Sequence, residues 1–261
     1  MRYIIIFAEQ IKQSVMSSAM YRVNFWLMLI QSMINSAIGI LCIQFIYGSV
    51  DIIAGWNRHE MIILICTAQI VSYLYRGVIH FNQNRFVYSV GSGDFDRMLL
   101  RPMSLVFQVN TGPIDISGLI ATVVPISVLI SQVIAIGPYI NPLQIGLFIL
   151  FVFNGIIILT AFMLLLFSAV FLFVKVDGIG NIYYLLMDIT NKPQEIFSRE
   201  FMLGFIFVIP AIPIANGPVS ILLGRADVVM MLVYFGVGMV FVLAAWLALR
   251  MGLRRYTSAS S

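Results

Sequence analysis

The stretch ISGLIATVVPISVLISQVIAIGPYINPLQIGLFILFVFNGIIILTAFMLLLFSAVFLFV, residues 116–174, runs for 59 positions without an Asp, Glu, Lys, Arg or His. About 20 apolar residues, each rising about 1.5 Å along a helix, span the hydrocarbon core of a bilayer. The run is therefore long enough to cross, turn and cross back. The turn is readable at Gly137-Pro138-Tyr139-Ile140-Asn141-Pro142, where one Gly, two Pro and one Asn fall in six residues. The chain reads as an all-α polytopic membrane protein. Its composition, 61% hydrophobic and 10% charged over 261 residues, fits one membrane domain and little else. Cys42 and Cys66 lie in apolar segments and read as small buried hydrophobes, not as a disulfide or metal pair. The short apolar patch at 3–8 is followed by Glu9, Gln10 and Lys12, so no cleavable signal peptide is expected.

Working outward, five spans are clear: 23–48, 61–79, 117–136, 143–174 and 228–249. Arg76, near the end of the second, can snorkel to the headgroups. The region from Asp177 to Arg225 is broken. Residues 179–190 are apolar but short and contain Asp188. Residues 191–195 are polar. Residues 201–218 are apolar but hold Pro210, Pro213 and Pro218. In one reading the chain crosses at 178–196 and then dips back as a re-entrant hairpin at 197–224. In the other, 201–216 is the crossing. Both give six crossings, and three prolines in nine residues favour the hairpin. In the hairpin reading, 11 of the 15 basic residues lie on one side: Arg2, Lys12, Arg22, Arg76, Arg85, Arg97, Arg101, Lys175, Arg250, Arg254 and Arg255. By the positive-inside rule both termini are expected in the cytoplasm. The net charge of +4 is this orientation signal, so no nucleic-acid partner is expected.

Residues 1–22 have helical periodicity, with Ile4, Phe7, Ala8, Ile11, Val15 and Ala19 on one face. They predict an interfacial elbow helix, either a topological anchor or a brace for the core. The loop 81–105 is the most specific local feature. Gly91 and Gly93 stop one helix, Asp94 can cap the next, and Pro102 ends it. Phe95, Met98 and Leu99 then share a face, with Asp96, Arg97 and Arg101 elsewhere. The element is either an interfacial loop or a docking helix for a cytosolic partner.

Catalytic patterns are missing from the sequence. None of Lys12, Lys175 and Lys192 follows a glycine, so there is no nucleotide-binding Gly-x-x-x-x-Gly-Lys-[Ser/Thr] loop. His59 and His80 flank the second span at opposite ends and read as interfacial histidines. Asp115 reads as an N-terminal residue of the third span. Asp188, beside Tyr183 and Tyr184, is a substrate-pathway candidate that could receive a cationic, planar molecule. The plainer reading pairs it with Lys192, four positions on. Trp26, Tyr47, Trp56 and Tyr139 read as interface anchors. Gln31, Asn35, Gln69 and Asn154 read as polar contacts between helices.

The segment Gly93-Asp94-Phe95-Asp96-Arg97-Met98-Leu99-Leu100-Arg101-Pro102 resembles the Gly-x-[Leu/Phe]-Asp-x-x-Leu-Leu-Arg-Pro segment of type-two ABC exporter permeases. The resemblance extends over the whole chain, through Pro193-x-x-Ile196-Phe197, Ile209-Pro210, Gly217-Pro218, Leu222-Leu223-Gly224 and Leu253-Arg254-Arg255-Tyr256. The polar stretch 188–200 departs from it. The resemblance implies a bacterial inner-membrane permease of an ATP-driven exporter, paired with a second permease and two cytosolic ATPase subunits. Asp94, Phe95, Asp96, Met98, Leu99 and Arg101 would then contact the ATPase. No cofactor is expected on this chain, since ATP and magnesium would sit on the partner. A self-powered secondary transporter or channel is the alternative, and a non-transporting scaffold a third reading.

Overall fold

The computed structural model describes residues 2–137, 140–172 and 178–256. Pro138 and Tyr139 of the expected turn, and Asp177 and Lys175 of the next loop, lie outside the described residues. An elbow helix α1 (Arg2–Met20) leads into α2 (Arg22–Ile46). Next come α3 (Arg58–Tyr75), a π-helical turn (Arg76–His80) and α4 (Phe81–Ser92). The loop carries α5 (Phe95–Leu99) and α6 (Leu105–Asn110). The third span is α7 (Ile116–Ala121) with α8 (Val123–Ile136), and the fourth is α9 (Pro142–Phe167) with a 3-10 turn (Ser168–Phe171). Then follow α10 (Ile179–Thr190), α11 (Arg199–Phe207), α12 (Ile212–Leu222) and α13 (Val228–Arg255). Among the described residues, five helices are long and apolar enough to cross a membrane: α2, α3–α4, α7–α8, α9 and α13.

Side chains fix most of the helix starts. Asn57 and Glu60 form a reciprocal capping box at α3, and Asn141 and Gln144 another at α9, where Pro142 takes the first turn. Asp115 caps α7 through Gly118 N–H, and Asp227 caps α13 through Met230 N–H. The second span differs from the expected 61–79. Its helix continues through the π-turn to Ser92, 35 residues in all. Asn82 and Gln83, which lie in the expected loop, are buried and hydrogen-bonded. Gln83 accepts from Tyr75 Oη at 2.8 Å and donates to Asn110 and to the Thr160 carbonyl. His80 is therefore inside the helix, not at its edge.

The segment after α10 enters and leaves the bundle at one end. Trp56 Nε1 donates to Glu195 Oε2 at 2.7 Å, just before α11. The Arg225 guanidinium, just after α12, lies 5.0 Å over the Trp56 ring and bonds Glu60 at 2.7 Å. A single crossing through 201–216 would hold Glu195 and Arg225 at opposite ends. Between them α11 and α12 meet at 105°, and Ile214 packs on Gly155 in the middle of α9. Residue α10 Tyr183 bonds Ser72 far along α3, so α10 runs from that depth to the Trp56 end. Every residue of α12 is buried, the pattern of a helix surrounded by protein. Asn216, fully buried, serves the chain reversal: it accepts from Gln194 N–H and donates to the Lys192 carbonyl, both at 3.0 Å.

Three expectations are corrected. Trp56 and Tyr47 are not lipid-facing anchors. Trp56 is fully buried, and Tyr47 Oη donates to its carbonyl at 2.9 Å, so both brace the hairpin end. Cys42 lies exposed on α2, while Cys66 is buried as expected. Asp94 does not cap α5; its carboxylate turns to Arg97.

Candidate functional site

At the bundle end opposite Trp56, α5 forms a small foot. Gly93 ends α4 at φ 81°, a left-handed conformation that favours glycine. The turn swings Phe95 back into the protein. Its ring is fully buried between Phe86, Phe171 and Tyr256, at centroid distances of 5.7, 5.5 and 5.0 Å. Phe95 thus fastens the foot to α4, to the end of α9 and to the end of α13. Met98 is half-buried and touches Ser89. Leu99 and Leu100 point outward, 45% and 83% exposed, beside an exposed Arg101. The expected ridge of Phe95, Met98 and Leu99 is split. Phe95 is the anchor, and Leu100, which sequence spacing missed, is the most exposed apolar tip. Arg97, hydrogen-bonded to Asp94, holds that carboxyl below the usual carboxylate range.

α10 carries a second feature. Asn181, Tyr184 and Asp188 are exposed on one face at i, i+3 and i+7. Asp188 is paired with Lys192 at 2.6 Å. This is a polar stripe along an otherwise apolar helix, and the pair leaves it without net charge. Tyr183 points the other way. It is buried, bonds Ser72 at 2.5 Å, and packs 5.6 Å from Tyr75 and 5.3 Å from His80. The expected trio Asp188, Tyr183 and Tyr184 is thus divided between two faces.

Residues 33–260 match the family model described as ABC-2 family transporter protein. The chain belongs to that family. No curated protein and no solved structure matches it. It is therefore an ABC transporter permease, a multi-pass membrane protein of the transporting kind.

Other polar groups of this ABC-2 permease serve packing. Gln69 accepts from Ser36 at 2.6 Å, joining α2 to α3, and Asn154 donates to the Tyr234 carbonyl at 3.1 Å, joining α9 to α13. These two act between helices as expected. Gln31 and Asn35 do not: both are exposed on α2. They lie with Met28, Ile38 and Cys42 on a seam of alternating three- and four-residue steps, the spacing of helix pairs. α3 connects the two polar faces, since Tyr73 bonds α2 at Ser32 and Ser72 bonds α10 at Tyr183. Neither histidine joins a metal-binding group among the described residues, where no group of three or more His, Cys, Asp or Glu could hold a metal. His59 bonds Gln132 at 2.7 Å.

Proposed function

We propose that this ABC-2 permease is the membrane subunit of an ATP-driven exporter, powered through α5 by separate cytosolic ATPase subunits. The observation that carries this is the foot: an exposed Leu99–Leu100 tip held rigidly by a buried Phe95. Apolar tips beside charged residues are what a groove on a partner accepts. The foot's end of the bundle is then cytoplasmic and so are α1 and the end of α13, in keeping with the basic residues gathered there. ATP and magnesium belong to the partner, in the bacterial inner membrane arrangement the sequence implies.

The stripe on α10 supports a pathway. Asn181, Tyr184, Asp188 and Lys192 would be costly against lipid and are suited to water or a second helix bundle. The α2 seam, with Gln31 and Asn35 unpacked, supports a second permease as the other wall. A self-powered transporter needs a free acid in the bundle. Asp188 is paired with Lys192, and Asp115 is engaged by Gly118 N–H and Ser117 Oγ, which favours the ATP-driven reading.

Replacing both tip residues, Leu99→Asp with Leu100→Asp, tests the coupling. Co-purification with the ATPase and ATP-dependent transport in vesicles should each fall about tenfold or more, the equivalent of ~1.4 kcal/mol of lost contact. The melting temperature should stay unchanged, because neither side chain is in the core. Intact ATPase binding and transport in this variant would end the proposal. For the pathway, Asp188→Ala leaves Lys192 as an unbalanced charge on the stripe. Transport should fall about fivefold, with stability altered by less than ~1 kcal/mol, since an exposed ion pair contributes little. An unchanged transport rate would remove α10 from the pathway.

A further inference from the structure

α1 turns a small uncharged polar face inward. Gln10, Ser14 and Ser18 face the protein, and Ser14 Oγ accepts from the Ile114 N–H at 2.9 Å. Ile4, Ile5, Ile11, Val15 and Met16 face outward and are exposed. An elbow helix of this kind rests its apolar face among acyl chains, at the depth of the headgroups. Beneath it, between α1, α4 and the chain at 101–114, is a cavity of about 410 Å³.

The chemistry of this cavity is unusual for a gap in packing. Arg85 and Arg101 both line it, and among the described residues neither forms an ion pair. Two buried acceptors, Gln10 Oε1 and Gln108 Oε1, have no hydrogen-bond donor among the described residues. Gln108 is only 9% exposed. Its amide cannot be turned round, because Nε2 donates to the Met98 and Met103 carbonyls, each at 3.1 Å. A buried acceptor left without a donor is destabilising, so the site favours a ligand that supplies one. The cavity therefore asks for an anion and a hydrogen-bond donor together. A phosphodiester answers the arginines, and an ammonium or hydroxyl group on the same molecule answers the glutamines. The cavity adjoins a second, of about 610 Å³, which shares Ser17, Ser18, Pro113 and Ile114 with it and has Phe25, Met28 and Phe81 in its wall. That continuation, whose wall also carries Asn24, Arg76, Asn84 and Asp115, leads from the headgroup position toward Phe25 and Met28 on α2.

We propose that the cavity under α1 binds the headgroup of a membrane phospholipid whose phosphodiester carries a donor, such as ethanolamine or glycerol. The arginines hold the phosphate, Gln10 and Gln108 receive the donor, and the acyl chains leave past Phe25 and Met28.

The test uses the full chain purified in detergent and native mass spectrometry. It is titrated with phosphatidylethanolamine, phosphatidylglycerol and phosphatidylcholine of identical acyl chains, and separately with glycerol 3-phosphate. The ethanolamine and glycerol lipids should bind about tenfold more tightly than the choline lipid, which has the phosphate but no donor. Arg85→Gln should weaken both by about tenfold. Gln10→Met should remove the preference over the choline lipid; it is chosen beside Gln108→Met because Gln108 also pins the loop. Equal binding of all three lipids to the unmodified chain would overturn the donor requirement. Unchanged affinity in a folded Arg85→Gln protein would overturn the site. Full displacement by glycerol 3-phosphate at equal concentration would make it a soluble-phosphate site and overturn the lipid.

Discussion

Gly155→Leu should leave neither a stable nor a transporting protein. A Cβ at this position would lie 2.5 Å from the Ile214 carbonyl oxygen and 3.3 Å from the Ile214 carbonyl carbon and Cα. Those are backbone atoms of α12, so no side chain can swing aside. α12 itself cannot retreat. Its far side carries Gly217 against the Tyr234 ring, and Asn216 is tied to Lys192 and Gln194. Overpacking a well-filled core by a few methylenes costs about 1–3 kcal/mol where neighbours can yield. Here they cannot, and the loss should exceed that range. It would remove most of the stability of a domain that has about 5–15 kcal/mol in total. The measurement is the unfolding midpoint in detergent, followed by transport after reconstitution. Gly146→Leu is the control, in the same helix but exposed and with nothing within 4 Å of the added carbon. It should be neutral, or stabilising by up to ~1 kcal/mol through helix propensity. Equal stability of the two variants would mean that α9 and α12 do not touch as described.

How far the fold could be read in advance depends on where water would have to be excluded. The charge-free run 116–174 announced α8 and α9, because unpaired charge in hydrocarbon is too costly to hide. The glycines and Pro102 marked both ends of the foot, because backbone conformation is written in those residue types. The end of the second span was not legible. Asn82, Gln83 and Asn84 look like a membrane edge until Tyr75, Asn110 and Thr160 are seen to satisfy Gln83. Partners 27 and 77 residues away leave no local trace. Trp56 failed for the same reason: a tryptophan near a span end is usually an interface anchor, and only Glu195, 139 positions later, turns it inward. The ridge at α5 was half legible. Periodicity placed Phe95, Met98 and Leu99 on one side of a helix, but a five-residue helix pinned by Phe86, Phe171 and Tyr256 puts its first member in the core and its neighbour Leu100 at the tip. Asp188 could be read two ways, and the nearer partner, Lys192, holds it. On α2, Gln31 and Asn35 could have been assigned an outward seam, had their three- and four-residue spacing with Met28, Ile38 and Cys42 been weighed against the inward contacts of Gln69.

Trp56→Ala should release both ends of the hairpin at once. The indole is fully buried and joins two distant parts of the chain: its Nε1–H bonds Glu195 and its face carries Arg225, while the Trp56 backbone carbonyl, which accepts from Tyr47, is kept in the variant. Truncating a buried tryptophan costs about 3–5 kcal/mol. Glu195 then loses its Trp56 donor and keeps the longer contact from Gln194 Nε2 at 3.2 Å. Arg225 keeps Glu60 but not the ring. The loss should be visible as a lower unfolding midpoint and as faster labelling of a cysteine placed at Ser198, beside the released end. Trp56→Phe separates the contributions. It keeps an aromatic face for Arg225 and removes only the indole N–H; Glu195 is exposed and water can replace the donor, so it should cost about 0.5–1.5 kcal/mol, the net contribution of one hydrogen bond. Combining Trp56→Phe with Glu195→Gln should cost about 0.5 kcal/mol or more less than the sum of the single losses, because both changes weaken the same hydrogen bond. Additive losses in that cycle, or unaltered labelling at position 198 in Trp56→Ala, would mean that the indole does not hold the two ends together and that the segment 197–224 keeps its place by the α9–α12 contact alone.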